Sequence, residues 1–251
     1  MQKQTKDIKK VSYKKRVYPQ WSESSDRLLL YADIMGFKNR VLSLEHDKLK
    51  EQFIDFRTQW QTKMSPLKMQ DYLRFVQFSD SILIVVNGTD EKMFNLLTKA
   101  AVCLIHSALE HRFPIKGVIS QGKFTFDAER ELYFGKPLVD AALLHDEIKY
   151  YGIVVHHTAE HTVKTLTSKS NPYFKTPIAL EGGETSHFHL AWNLLNQSYQ
   201  SDDITSKCNE WLNSIEEMVS GRPRIYVDKT RKILSSDCKI YKDEDDEIEE
   251  K

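Results

Sequence analysis

The chain has 251 residues, enough to bury a good core as one domain. Hydrophobic residues make up 40% and charged residues 29%, the ordinary mix of a globular protein, and 36 basic side chains balance 36 acidic ones. A net charge of zero excludes a global field that would favour nucleic acid or a membrane surface. Cys103, Cys208 and Cys238 show no paired or metal-type spacing, and no apolar run approaches a membrane span. With no signal peptide in view, the expected compartment is a reducing cytoplasm.

Residues 1–26 are polar, with Lys3, Lys6, Lys9, Lys10, Lys14, Lys15 and Arg16 at the start. They read as a basic, flexible arm, with Trp21 packing back onto the body. Residues 27–33 open as the apolar run Leu28-Leu29-Leu30, the pattern of a strand buried on both faces. Residues 42–63 read as a helix, with Leu49, Phe53, Phe56 and Trp60 at helical spacing, and Ser65-Pro66 ends it.

Two strand-like runs over residues 72–86 flank Phe78-Ser79-Asp80-Ser81, a β-hairpin with an aspartate at its tip. Asn87-Gly88-Thr89-Asp90 is a turn into a helix over 91–111, whose Phe94, Leu97, Ala101, Leu104, Ile105 and Ala108 form a core-facing stripe. A strand is expected over 115–127. Gly117 and Gly122 inside it predict a bulge or a close approach by a ligand or partner chain.

Gly135-Lys136-Pro137 starts a helix to about 149, and residues 153–155 form a short buried strand. The order strand, helix, hairpin, helix, strand, helix, strand predicts an α+β, ferredoxin-like core. That core is a mixed or antiparallel sheet with helices packed against it. Strands over 173–180 and 187–192 around Glu181-Gly182-Gly183-Glu184, and a helix over 204–219, decorate it. The expected division is a basic arm (1–26), a single domain (27–235, core about 27–155) and an acidic tail (236–251).

Two aspartates carry the chemistry. Asp33 ends a buried strand, where desolvation costs several kcal/mol unless something pairs with it; a metal ion is one such partner and a helix cap is the alternative. Asp80 sits at a hairpin tip, where a turn aspartate is common. Together they are the parts of a site in which neighbouring strands hold divalent cations and the cations hold a triphosphate.

Here the chain resembles a known family. Ala32-Asp33-Ile34-Met35-Gly36-Phe37 is similar to the first metal motif of the class III nucleotidyl cyclases, and Phe78-Ser79-Asp80-Ser81 to the second. Ile115-Lys116-Gly117-Val118-Ile119-Ser120-Gln121-Gly122 and Tyr133-Phe134-Gly135-Lys136-Pro137-Leu138-Val139-Asp140-Ala141-Ala142 follow in the family's order. The resemblance covers about residues 27–155, and its flavour is that of the pyrimidine nucleotide cyclases of bacterial Pycsar antiphage systems.

The resemblance implies a class III cyclase catalytic core and two Mg²⁺ or Mn²⁺ ions per site. The ions would be held by Asp33, Asp80 and the carbonyl of Ile34, and the backbone N–H groups of Met35, Gly36 and Phe37 would meet the phosphates. It also implies a nucleoside triphosphate substrate, a head-to-tail homodimer and a separate effector that responds to a diffusible cyclic product. UTP is the favoured substrate and cyclic UMP the product.

The match departs from the family in two places. The positions of its asparagine and transition-state arginine hold Asp140 and Leu144, so Lys116 is the first substitute cation, followed by Lys123, Arg130 and Lys136. Val76 stands where purine cyclases carry a lysine or glutamate, which favours a pyrimidine, with Tyr31 and Gln77 as candidate base contacts.

The alternatives are a cytidylate or purine cyclase on the same fold, and a catalytically inactive nucleotide-binding or dimerising module. A nucleic-acid binder would need aromatics interleaved with the basic arm, and only Tyr13 and Tyr18 offer that. A zinc site from His156, His157, His161, His187 and His189 is conceivable, but no cysteine or carboxylate frames them clearly.

Overall fold

The computed structural model describes residues 21–67, 71–165, 172–193 and 201–249. Most of the basic arm lies outside the described residues. Its end does pack back: Trp21 donates its indole N–H to the Asp71 carbonyl at 2.8 Å and lies under the guanidinium groups of Arg27 and Arg74.

The central strand is β1 (Ser24–Ile34). Leu28, Leu30, Ala32 and Ile34 enter one apolar cluster and Leu29 the other. Side chains alternate across a strand, so a continuous apolar run requires cover on both faces. After β1 come α1 (Phe37–Ser43), α2 (His46–Met64), the hairpin β2 (Leu73–Phe78) and β3 (Ser81–Val86), and α3 (Glu91–Glu110). The single helix expected over 42–63 is thus two helices, parted near Leu44, where the chain turns extended.

The start of α3 is set by Asp90, whose side chain accepts the Met93 N–H at 2.9 Å. Such a cap contributes about 1 kcal/mol. The stripe Phe94, Leu97, Ala101 and Leu104 is buried against β1 and β3, at about 2 kcal/mol for each large side chain.

β4 (Ile115–Asp127) runs antiparallel to β1 along its whole length, with Asp33 opposite Lys116. A Cβ at Gly117 would lie 3.0 Å from Ala32 Cβ and 3.1 Å from the Tyr31 carbonyl. The close approach expected there is therefore made by β1, not by a ligand or partner chain. The β5 strand (Leu132–Gly135) folds back on β4, and α4 (Lys136–Glu147) then crosses the Leu29 face of the sheet.

The remaining elements are β6 (Gly152–Val155), α5 (His157–Thr165), the hairpin β7 (Tyr173–Leu180) and β8 (Gly183–Leu190), α6 (Ser201–Glu216) and α7 (Arg222–Glu249). The hairpin turn is two residues, Glu181 and Gly182, because Leu180 pairs with Gly183. The sheet order is β2-β3-β1-β4-β6-β8-β7, with β5 also on β4, which makes one mixed, mainly antiparallel sheet of 8 strands.

The C-terminal elements are therefore structural. β8 joins β6, and Trp192, Trp211 and Tyr226 enter the larger core. The boundary expected between 235 and 236 falls inside α7, which runs to Glu249.

Candidate active site

β1 delivers Asp33 to the sheet end, and Gly36 turns the chain into α1 with φ 76, a left-handed conformation that glycine adopts without a Cβ penalty. On the other side, β3 pairs so that Asp33 faces Ser81. The Ile34 N–H donates to the Asp80 carbonyl at 3.0 Å. In an antiparallel ladder one residue's N–H and C=O address the same neighbour, so the Ile34 carbonyl is directed at the hairpin that carries Asp80. The tip is tight: Ser79 sits at φ 57, unusual for a non-glycine residue.

These constraints bring the two carboxylates together. Asp33 is half-buried, and its pKa is raised to about 6, first by desolvation and next by the charge of Asp80. Two oxygen acids and one carbonyl form a hard donor set suited to Mg²⁺ or Mn²⁺. Among the described residues no group of three or more histidine, cysteine, aspartate or glutamate side chains could hold a metal. The Asp33–Asp80 pair is thus too sparse for an all-protein cage and leaves coordination positions for water and phosphate, as Mg²⁺ prefers.

Other expected residues stand differently. The Met35 N–H donates to the Pro114 carbonyl at 2.8 Å, so it does not meet a phosphate. Phe37 packs its ring on Phe53, centroids 5.5 Å apart, and the anchor fixes where α1 begins. Lys116 lies across from Asp33 but is only 3% exposed, and its ammonium donates to the Ile148 carbonyl at 3.4 Å. Burial, then Lys149, lowers its pKa to about 8. Lys116 also acts on Asp33 through its charge, which works against the rise in the Asp33 pKa.

The helix α4 has no cation in the arginine position. Leu144 packs against the Leu29-side core, and Asp140 binds Lys136 at 2.6 Å. Arg130 is held by Asp127 and Glu23. Lys123 is exposed. Val76 is partly buried against the same core as Leu144. Gln77 donates its amide to the Ser79 carbonyl at 3.4 Å within the hairpin.

Tyr31 is half-buried. Its hydroxyl lies 3.4 Å from Ser81 Oγ and its ring stands edge-on to His145, centroids 5.2 Å apart. Ser81, His145 and Asp146 were not legible as site residues. His145 is 5% exposed, and burial, then Lys116, pushes its pKa down to about 4. The only sequence hint of His145 and Asp146 was their place just past an apolar stretch of α4, and Ser81 was visible only as a member of the Phe78-Ser79-Asp80-Ser81 motif. The histidine-rich segment gathers no metal ligand set among the described residues. Its His189 is fully buried 3.1 Å from Asp237.

No protein-family model matches this chain, and no curated protein sequence does. Solved structures do. The dimeric guanylyl cyclase domain of the RhoGC fusion protein from the aquatic fungus Blastocladiella emersonii superposes with a TM-score of 0.50 at 15% identity, over 67% of this chain and 98% of that one. The adenylyl cyclase CyaB from P. aeruginosa is similar at a TM-score of 0.44 and 16% identity, over 67% and 96%. The fold is that of a class III cyclase catalytic core, an assignment that rests on the fungal domain.

Proposed function

We propose that this chain is a metal-dependent nucleotidyl cyclase of the class III family that converts a pyrimidine nucleoside triphosphate, UTP in preference to CTP, into the cyclic monophosphate and pyrophosphate. The observation that carries it is the Asp33–Asp80 pair, joined across β1 and β3 at the sheet end of a cyclase-type core. Asp33, Asp80 and the Ile34 carbonyl hold the cations. When bound, such cations lower the pKa of the ribose 3′-hydroxyl and neutralise charge on the triphosphate. The amides of Gly36 and Phe37 face the phosphates at the entrance to α1. Lys116 supplies a buried positive charge beside Asp33.

Val76, an apolar side chain where purine cyclases carry a reading lysine or glutamate, supports pyrimidine choice. A second copy of the chain completes the site. Phe78, 82% exposed beside Asp80, and the exposed Phe134, Val139 and Leu143 on β5 and α4 are the apolar surface it covers. The product then serves as a diffusible signal for a separate effector in antiphage defence, a role that rests on the motif resemblance alone.

One observation favours a second reading. Leu144 cannot stabilise charge at an α-phosphate, and an inactive nucleotide-binding module would tolerate that. Incubation of the purified protein with each of four ribonucleotides and Mn²⁺, read by mass spectrometry, separates the two. A cyclic pyrimidine monophosphate that disappears in Asp33→Ala and Asp80→Ala supports the cyclase. Nucleotide binding without product from any of the four favours the module.

A further inference from the structure

We infer that Ser81, backed by Tyr31, is the positioning group that fixes the Asp33 carboxylate for its cation. This rests on the metal-site reading above and goes beyond it. The β1–β3 register places Ser81 directly opposite Asp33. Ser81 Oγ donates to Asp33 Oδ1 at 3.3 Å. A serine hydroxyl has one proton. With that proton on Asp33, the contact of 3.4 Å between Ser81 and Tyr31 is one in which the tyrosine donates. The relay therefore runs one way, from Tyr31 to Ser81 to Asp33.

Its far end does not move freely. The Tyr31 ring is half-buried and stands edge-on, at 72°, to the buried ring of His145. The near end occupies one oxygen of Asp33 and leaves Oδ2 for the ion. A ligand held this way binds without first losing rotamer freedom, and hydrogen bonds behind a metal ligand commonly set its affinity. The hairpin does not need the Ser81 hydroxyl for its own shape. Its ladder is backbone pairing from Leu73↔Val86 to Phe78↔Ser81, and the Gln77 amide ties down the Ser79 carbonyl.

The test is titration of the full-length, metal-free protein with Mn²⁺ alone, by calorimetry, beside a thermal melt of each variant. Ser81→Ala should weaken Mn²⁺ binding by about 10- to 100-fold. Tyr31→Phe should weaken it less, in the same direction, and Ser81→Thr, which keeps the hydroxyl, should bind like the parent. Melting temperatures without metal should stay close together, which separates positioning from a general structural role. Parent-like Mn²⁺ affinity in Ser81→Ala overturns the inference. Asp33→Ala serves as the independent arm: loss of binding there upholds the metal site whatever Ser81 does, and undiminished binding removes the metal site itself.

Discussion

At Asp33 and His145, neighbours through the Tyr31 ring, burial has opposite consequences. The folded Asp33 carboxyl is raised to about 6 against an unfolded value of about 4, so its contribution to stability is present below about pH 4 and lost as the pH rises through 6. Folded His145 is lowered to about 4 against an unfolded value of about 6.5, so its contribution is present above that value and lost as the pH falls through 4. Between pH 4 and 6.5 the two oppose each other. Urea unfolding in EDTA at pH 4.5 and pH 7 should therefore respond differently to each substitution.

Asp33→Asn should stabilise the metal-free fold at pH 7 by only about 1 kcal/mol, because Asp33 is half-buried and solvent screens its charge. His145→Asn should remove a loss of about 2 kcal/mol that the parent suffers on acidification. Parent-like pH dependence in both variants would show that neither group is perturbed. Asp33 and Asp80 were legible because a carboxylate at the end of an apolar run is a local anomaly. The burial of Lys116 and His145 was not legible, since it depends on where α4 and Ile148 lie in space.

At the scale of elements, the C-terminal helix shows the same division. Its sequence reads as polar and then acidic, yet α7 is tied into the fold by contacts from distant parts of the chain. Thr230 Oγ1 accepts the Tyr151 N–H at 2.9 Å, Lys229 pairs with Glu184 at 2.6 Å, and Asp237 sits fully buried beside His189. Removing one partner of a fully buried polar contact strands the other, at a cost of about 1–3 kcal/mol. Asp237→Ala should thus lower stability by about 2 kcal/mol in a denaturant melt, while Lys229→Ala, at the surface, should cost less than about 1 kcal/mol. Equal, small losses would mean that α7 is not anchored by the buried pair. By contrast, β4 and β7 matched their expected bounds, because alternation and flanking turns are local signals.

At the scale of the molecule, the exposed apolar side chains near the site make a prediction about assembly. Phe78, Phe134, Val139 and Leu143 are 82%, 59%, 57% and 64% exposed. If a second copy covers them, Leu143→Glu should give a monomer in analytical ultracentrifugation and lose cyclase turnover, yet still bind Mn²⁺ at Asp33 and Asp80. A dimer that survives the substitution would place the interface elsewhere.

The sequence by itself determined the α+β order, the core strand β1 and the two aspartates. Each depends on periodicity or on a polar residue in an apolar context, and both are properties of neighbouring residues. The tertiary structure alone decided that Lys116 points into the protein, that Met35 spends its amide on Pro114, that Ser81 and Tyr31 stand behind Asp33, and that β7, β8 and α7 complete the body. Those outcomes come from contacts between residues far apart in the chain: 32 positions for Lys116 with Ile148, 48 for Ser81 with Asp33 and 79 for Tyr151 with Thr230. No local pattern encodes them, because the free energy of each contact exists only once both partners have been brought together.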